Sequence, residues 1–349
     1  MTDGAIVCPV PLPAGGRILL AHGGGGRMTR DLVERLFVPA FRNDVLATLH
    51  DAAVLDSPGA RLAFTTDSFV VRPMFFPGGD VGTLAVNGTV NDLAMSGARP
   101  LYLSLGFILE EGLAMDDLAR VVESIRRAAG EAGVAVVAGD TKVVERGKGD
   151  GVYITSAGVG VVVAREPVAP DRVRPGDAIV VSGPVGQHGV AVMAVRDGLR
   201  FSSPIVSDCA SVVAPALALL EAGLDVHCLR DPTRGGVATV LNEIATQSGC
   251  EISVHESAVP VNEDVAGACE VLGLDPLYVA CEGRFLAFVP AAQADAALGI
   301  LTARADTARA ARIGAVRAPG TPGLVTLKTV AGGERVLDLL SGEQLPRIC

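Results

Sequence analysis

The chain contains no tryptophan and only 4% aromatic residues, which leaves little surface on which nucleic-acid bases could stack. It has no basic excess either: 29 Lys and Arg stand against 39 Asp and Glu, for a formal net charge of -10. A duplex-binding protein, which must neutralise phosphates with a cationic face, does not fit that balance. No apolar run approaches the roughly 20 residues a membrane-spanning helix needs, and Met1–Pro13 lacks the basic opening of a secretory signal. The chain therefore reads as cytoplasmic, with no nucleic acid and no membrane among its partners. Its seven cysteines include no Cys-x-x-Cys pair, so neither a disulfide framework nor a zinc site follows from their spacing.

What is present is length, apolar content and glycine. At 349 residues, 49% of them hydrophobic, the chain is long enough for two cores. Periodicity predicts strands at 17–21, 61–66, 102–109, 134–138 and 152–163, with helices at 29–37, 81–96 and 116–130. A Pro- and Gly-bearing stretch at 165–176 reads as a connection. Beyond it are expected strands at 177–181, 252–255, 278–280 and 284–289, and helices at 188–196, 211–222, 233–248 and 262–272. From Gly332 a short strand leads into a tail. The fold class is α+β with mixed sheets, because the elements keep no strict βαβ rhythm. The expected division is an N-terminal segment at 1–42, a first domain at 43–165, a second at 176–331 and a tail at 332–349.

Two loops have the chemistry of phosphate contacts. His22-Gly23-Gly24-Gly25-Gly26-Arg27 follows an apolar strand and precedes a helix, so backbone N–H groups could meet phosphate oxygens there. It lacks the Gly-Lys-Ser/Thr of a Walker A loop and reads equally as a hinge. In Asp231-Pro232-Thr233-Arg234-Gly235-Gly236, Pro and Thr are expected to start a helix while the paired glycines permit close backbone approach. His22, Gly24, Gly25, Arg27, Asn91, Thr233 and Arg234 are the candidate nucleotide and phosphate contacts.

Acidic residues recur at element ends: Asp51, Asp67, Asp92, Asp140 and Asp231. One such Asp is ordinarily a helix cap or Asx turn. Five beside small residues suit a hard ion such as Mg²⁺. Asn91 and Asp92 are the least expected on structural grounds, since both residue types disfavour helix interiors. Cys349, last in the sequence after Pro346-Arg347-Ile348, stands apart from the other six cysteines, which are expected to be packing residues.

The segments Thr65–Val71, Asn87–Ala98, Gly139–Lys142 and Asp231–Gly236, in that order, resemble the aminoimidazole-ribotide-synthetase-like (PurM-like) ATP-binding superfamily. The loop His22–Gly26, Cys281-Glu282-Gly283 and the terminal Pro346–Cys349 resemble, within it, the HypE carbamoyl dehydratases of NiFe-hydrogenase maturation. The resemblance implies a PurM-like homodimer whose N-terminal domains pair into a β-barrel, with ATP held near the interface and an α/β C-terminal domain. It implies that a carbamoyl group, placed on Cys349 by the HypF carbamoyltransferase, is dehydrated with ATP to a thiocyanate for the HypC–HypD iron scaffold complex. Mg²⁺ is then expected on Asp67 and Asp92, with Asp51, Asp140 and Asp231 next. Glu282 and Lys142 are expected nearest the carboxamide nitrogen, each tuning the other. Two alternatives stay open: another PurM-like activity such as selenophosphate synthesis, and a carrier subunit that only delivers the group on Cys349.

Overall fold

A computed structural model of the chain describes residues 26–32, 34–35, 52–57, 59–199, 205–318, 320–340 and 348. The expected strand at 17–21 and residues 341–347 and 349 of the tail lie outside these residues. So do His22, Gly24, Gly25, Asp51 and Cys349.

After a short helix α1 (Arg27–Leu32), the first unit is built on five strands: β1 (Ala53–Ser57), β2 (Ala60–Phe69), then, beyond a small β3–β4 pair (Phe75–Phe76, Gly79–Asp80), β5 (Ala98–Glu110), β6 (Ala135–Val144) and β7 (Val152–Val162). Their order is β1-β2-β7-β5-β6, antiparallel except for the parallel β5–β6 pair. The sheet is open in the single chain, as the expected barrel needs two copies.

Helix α2 (Val81–Met95) is buried along its length except at Asp92. Asp80 caps it: one carboxylate oxygen accepts from the backbone N–H of Gly82 at 2.8 Å and of Thr83 at 2.9 Å. The same oxygen accepts from the Ser124 hydroxyl at 2.6 Å, so the cap also ties α2 to α3 (Met115–Ala132). Helix α3 buries Val121, Ser124, Ile125, Ala128 and Ala129, one stripe at helical spacing. It ends at Gly133, whose φ of 71° is the left-handed conformation that glycine tolerates.

The second unit is a mixed seven-stranded sheet. Its strands and helices are β8 (Asp177–Val181), α4 (Gln187–Arg196), α5 (Val213–Glu221), β9 (Cys228–Arg230), α6 (Gly236–Ser248), β10 (Glu251–His255), α7 (Glu263–Leu272), β11 (Leu286–Pro290), α8 (Ala294–Thr302), β12 (Ala311–Arg317), β13 (Val325–Lys328) and β14 (Glu334–Val336). The order is β14-β13-β10-β12-β8-β11-β9. Strand β8 is buried at every position, which explains its uninterrupted apolar run.

Two expected elements are corrected. Residues 278–280 are not a strand: a 3₁₀ turn at Pro276–Tyr278 leads into a loop, because Asp275 accepts from the Leu277 N–H at 3.0 Å and closes the turn. Helix α6 begins at Gly236 rather than Thr233, since Gly235 stands at its N-terminus with φ 77° and breaks the helical run. Among the described residues no helix is long and apolar enough to cross a membrane.

The Asp80 cap yields a prediction. Asp80→Ala should lower unfolding free energy by about 1–3 kcal/mol, because three donors lose one buried acceptor. Urea unfolding of the full chain measures it, and an unchanged midpoint would contradict the role given to Asp80.

Candidate active site

Three loops and one strand end converge. Strand β2 presents Thr65, Asp67 and Phe69 on one face, with Ser68 on the other. Helix α2 crosses the first face, and Gly88 is the position of closest approach: a Cβ there would lie 2.7 Å from the Phe69 ring and 3.9 Å from an Asp67 carboxylate oxygen. One turn on, Asp92 accepts a hydrogen bond from the Thr65 hydroxyl at 2.9 Å. Asp67 and Asp92 are thus brought to the same β2–α2 seam, as their pairing as candidate ligands requires.

The second unit closes on this seam through Asp231–Gly236. Arg234 sets its guanidinium 3.7 Å from the Asp67 carboxylate. Gly236, at φ 63°, sits where a Cβ would fall 2.6 Å from the Leu277 carbonyl oxygen, so side-chain-free backbone is what lets this loop pack. Beside it lies Glu282, 3% exposed, with Oε1 lacking a hydrogen-bond partner. Burial pushes the Glu282 carboxyl well above its usual range, and Asp231, Asp208 and Asp67 push it further, with Arg234 opposing. Asp67 is raised as well, chiefly by burial, against the lowering effect of Arg234.

Glu282 is held by a loop the sequence analysis passed over. Asp208 accepts from the Glu282 backbone N–H at 3.2 Å. Its other oxygen lies 3.7 Å from the Arg284 guanidinium. A Cβ on Gly283 would be 1.9 Å from the Asp208 carbonyl oxygen, so only glycine lets the two loops meet. The neighbouring Cys209 accepts weakly from the Asn87 amide at 3.8 Å. Burial, with the charge of Glu282, pushes its thiol well up, which keeps it protonated and a poor nucleophile. Cys281 is buried and accepts from the Gly186 N–H at 3.1 Å, a packing role as expected.

Other candidates have different surroundings. The Asn91 amide is taken up at both ends by the chain itself: its Nδ2 donates to the Ala210 carbonyl at 3.1 Å and its Oδ1 accepts from the Val212 N–H at 2.8 Å. Its hydrogen bonds join α2 to the 205–212 loop, which explains an Asn inside a buried helix. Thr233 lies in the loop before α6 and Arg27 pairs with Asp338 at 2.9 Å in an exposed bridge. Asp140 and Lys142 lie on exposed β6. The registers Ser68↔Thr155, Thr155↔Gly106 and Gly106↔Asp140 put Asp140, and Lys142 two residues on, on the sheet face opposite Asp67. The charges acting most on Glu282 are Asp231, Asp208, Asp67 and Arg234; in the single chain Lys142 stands on another surface.

The tail packs on the second unit through β14 and through Leu337, whose N–H donates to the Val325 carbonyl at 2.9 Å, and again at Ile348. Ile348 is 4% exposed, and its carbonyl oxygen lies 2.5 Å from the Nε2 of His188. Among the described residues no three His, Cys, Asp or Glu side chains form a metal cage by themselves. Half-buried Asp67 and Asp92, hard oxygen donors on one seam, fit an ion such as Mg²⁺ that takes most of its ligands from water and phosphate.

Comparison with known proteins bears on these loops. The family described as AIR synthase related protein matches through its N-terminal domain at residues 49–162 and its C-terminal domain at 174–326. The chain is similar to carbamoyl dehydratase HypE of Azotobacter vinelandii, 52% identical over 334 residues spanning 96% of this chain and 98% of the relative. It is similar to the crystal structure of hydrogenase maturation protein HypE in complex with ATP, at 51% identity and a TM-score of 0.81 over 95% of this chain and 100% of the other. It is also similar to a chain in the crystal structure of a HypE–HypF complex, at 45% identity and a TM-score of 0.84, covering 88% and 99%.

The buried carboxyl gives a stability prediction. A group whose pKa is raised by folding holds its proton more tightly in the native state, so its contribution to stability falls as pH rises above its ordinary value near 4.5. Glu282→Gln has no such loss. Its stability relative to wild type should grow as pH is raised from about 4.5 towards 8 in urea melts, and a flat or shrinking difference would show that Glu282 is not held in this way.

Proposed function

The chain belongs to the AIR synthase related family and, within it, to the HypE carbamoyl dehydratases, and we propose on that basis that it dehydrates a carbamoyl group carried on Cys349. The reaction uses ATP to turn the thiocarboxamide of Cys349 into a thiocyanate, the source of a cyanide ligand in hydrogenase maturation. The feature that supports this reading most is Glu282: a buried carboxyl of raised proton affinity, with one oxygen that no hydrogen bond engages, in a frame that also receives Ile348.

The chemistry balances as follows. The carboxamide oxygen attacks the γ-phosphorus of ATP, ADP departs, and one N–H proton is removed to leave an O-phosphorylated imidate. Loss of inorganic phosphate and of the second N–H proton forms the C≡N bond, so the adduct loses the elements of one water. A buried carboxylate with raised proton affinity is a stronger base than a solvated one once ionised, and Glu282 is assigned the removal of the nitrogen protons. Arg234 and the Asp231–Gly236 backbone are assigned to the phosphates. Thr233 and, from the early loop, His22, Gly24, Gly25 and Arg27 are further phosphate candidates.

Mg²⁺, held by Asp67 and Asp92 with Asp231 adjacent, supplies neutralisation of phosphate charge when bound. Asp51 and Asp140 complete the proposed acidic set.

A homodimer fits the same picture. Strand β6 is an exposed edge, and Phe64, Tyr102, Ile108, Val137 and Val143 are large exposed apolar residues on the first sheet; a second copy would cover them. Lys142 and Asp140 belong to that side, so the share of Lys142 in the reaction rests on the pairing. The HypF carbamoyltransferase is the proposed loading partner and the HypC–HypD iron scaffold complex the acceptor, all in the cytoplasm.

Intact-mass spectrometry tests the reading. After carbamoyl loading, MgATP should remove the mass of one water from the adduct, Cys349→Ala should acquire no adduct, and Glu282→Gln should load normally but convert about 100-fold more slowly. A carboxamide that persists on wild type with ATP bound would leave only a carrier role.

A further inference from the structure

The ring of His188 is completely buried. Its hydrogen bonds say more. The Cys209 backbone N–H donates to the Ser207 hydroxyl oxygen at 3.0 Å, and Ser207 Oγ lies 2.8 Å from His188 Nδ1. The Ile348 carbonyl, 2.5 Å from Nε2, can only accept, which puts the proton of the neutral ring on Nε2 and leaves Nδ1 to accept from the Ser207 hydroxyl. Burial drives the imidazole pKa down to about 4, so the ring is neutral at physiological pH and this tautomer persists. Phe76 meets the ring edge-on, with centroids 5.3 Å apart and planes at 83°, and fixes its plane.

The backbone of the same residue is part of the Glu282 frame. Asp208 accepts from the Glu282 backbone N–H and feels the nearby backbone N–H of His188, and the Gly189 N–H donates to the Ala280 carbonyl at 3.1 Å, two residues before Glu282. One carboxylate, Asp208, therefore sets the position of both the imidazole and the buried acid. The Ile348 side chain is buried in the apolar core that contains Phe76, Val212 and Phe285. The His188 N–H from which the Ile348 carbonyl accepts on one side, and an apolar seat for the side chain on the other, specify where Ile348 sits and how its carbonyl is oriented.

We propose that His188 is a positioning residue for the tail: with Nδ1 engaged by Ser207, it donates its Nε2 proton to the Ile348 carbonyl and holds that residue on the loop frame that carries Glu282. The inference rests on the reading of Cys349 as the carrier of the reacting group. His188 touches no reacting atom in this scheme. It acts through the peptide of Ile348, and the hydrogen bond from Ser207 makes the grip specific to one tautomer. A buried histidine present only for packing would be replaceable by an apolar residue of similar size with no effect on the tail.

The test uses the full chain and two readouts. In the first, unloaded protein without ATP is treated with iodoacetamide, and modification of Cys349 is followed by peptide mass mapping. In the second, protein already carrying the carboxamide is given saturating MgATP and the loss of one water's mass is timed. His188→Leu removes the donor while keeping apolar bulk, His188→Gln restores an amide donor, and Ser207→Ala frees the tautomer with the ring in place. Expected for His188→Leu are Cys349 alkylation about fivefold faster and dehydration about tenfold slower, the scale of one lost buried hydrogen bond, with an unchanged KM for ATP. His188→Gln should recover most of both.

Ser207→Ala should shift both readouts in the same direction, and it decides the matter if His188→Leu does not fold. Unchanged alkylation, or faster alkylation with unchanged dehydration, overturns the proposal. Wild-type protein that never dehydrates its adduct overturns the functional reading instead, and the alkylation arm then reports on the grip alone.

Discussion

The placement of this site depends on keeping one carboxyl group, Glu282, out of water. An ionised carboxylate in such a position is costly, and Asp208, Asp231 and Asp67 add like charge to the cost of desolvation. The fold tolerates it because the group can retain its proton and because Arg234 and Arg284 stand at the edges of the acidic cluster. The tight geometry follows from the same requirement. Gly283 and Gly236 leave no room for a side chain, and the loops they occupy exclude water from Glu282. Stability is given up locally for a group that can exchange protons with a substrate, the usual physical signature of a working acid–base site.

The same frame explains why two domains are needed. The first unit supplies a seam between β2 and the buried helix α2, with hard oxygen donors at Asp67 and Asp92. The second supplies the cation Arg234, the buried acid and the seat for Ile348. Asn91 bolts the two together, since its amide is engaged with the backbone of Ala210 and Val212 in the 205–212 loop. That loop carries Ser207 and Asp208, so the helix of one unit fixes the residues that organise the acid of the other.

Much of this was legible in the sequence where local chemistry and packing agree. The bounds of α2 follow from the Asp80 cap and the turn at Gly97, and β8 from its unbroken apolar run. Asp67, Asp92 and Asp231 stood out by recurring at element ends beside small residues and Arg234 by its Gly-Gly loop, whereas Glu282 was reached only through the resemblance carried by Cys281-Glu282-Gly283. Ser207, Asp208 and His188 did not stand out, for a physical reason: their roles come from contacts across long sequence separations, such as His188 with Ile348, and no spacing encodes those. Asn91 was noticed for its chemistry, but the backbone partners its amide takes in another unit were not, because they lie about 120 residues away in sequence. The separation of Asp140 and Lys142 from Asp67 is a matter of strand register, and a one-residue shift reverses the face.

The central claim is that ATP activates the carboxamide oxygen so that it leaves as phosphate, while Glu282 takes the nitrogen protons. Cys349 loaded with a carboxamide labelled with oxygen-18, taken through a single turnover with MgATP and followed by mass spectrometry of the inorganic phosphate, tests this most directly. The label should appear in phosphate, one atom for each thiocyanate formed. Thiocyanate formed alongside unlabelled phosphate, with the label in water, would contradict it.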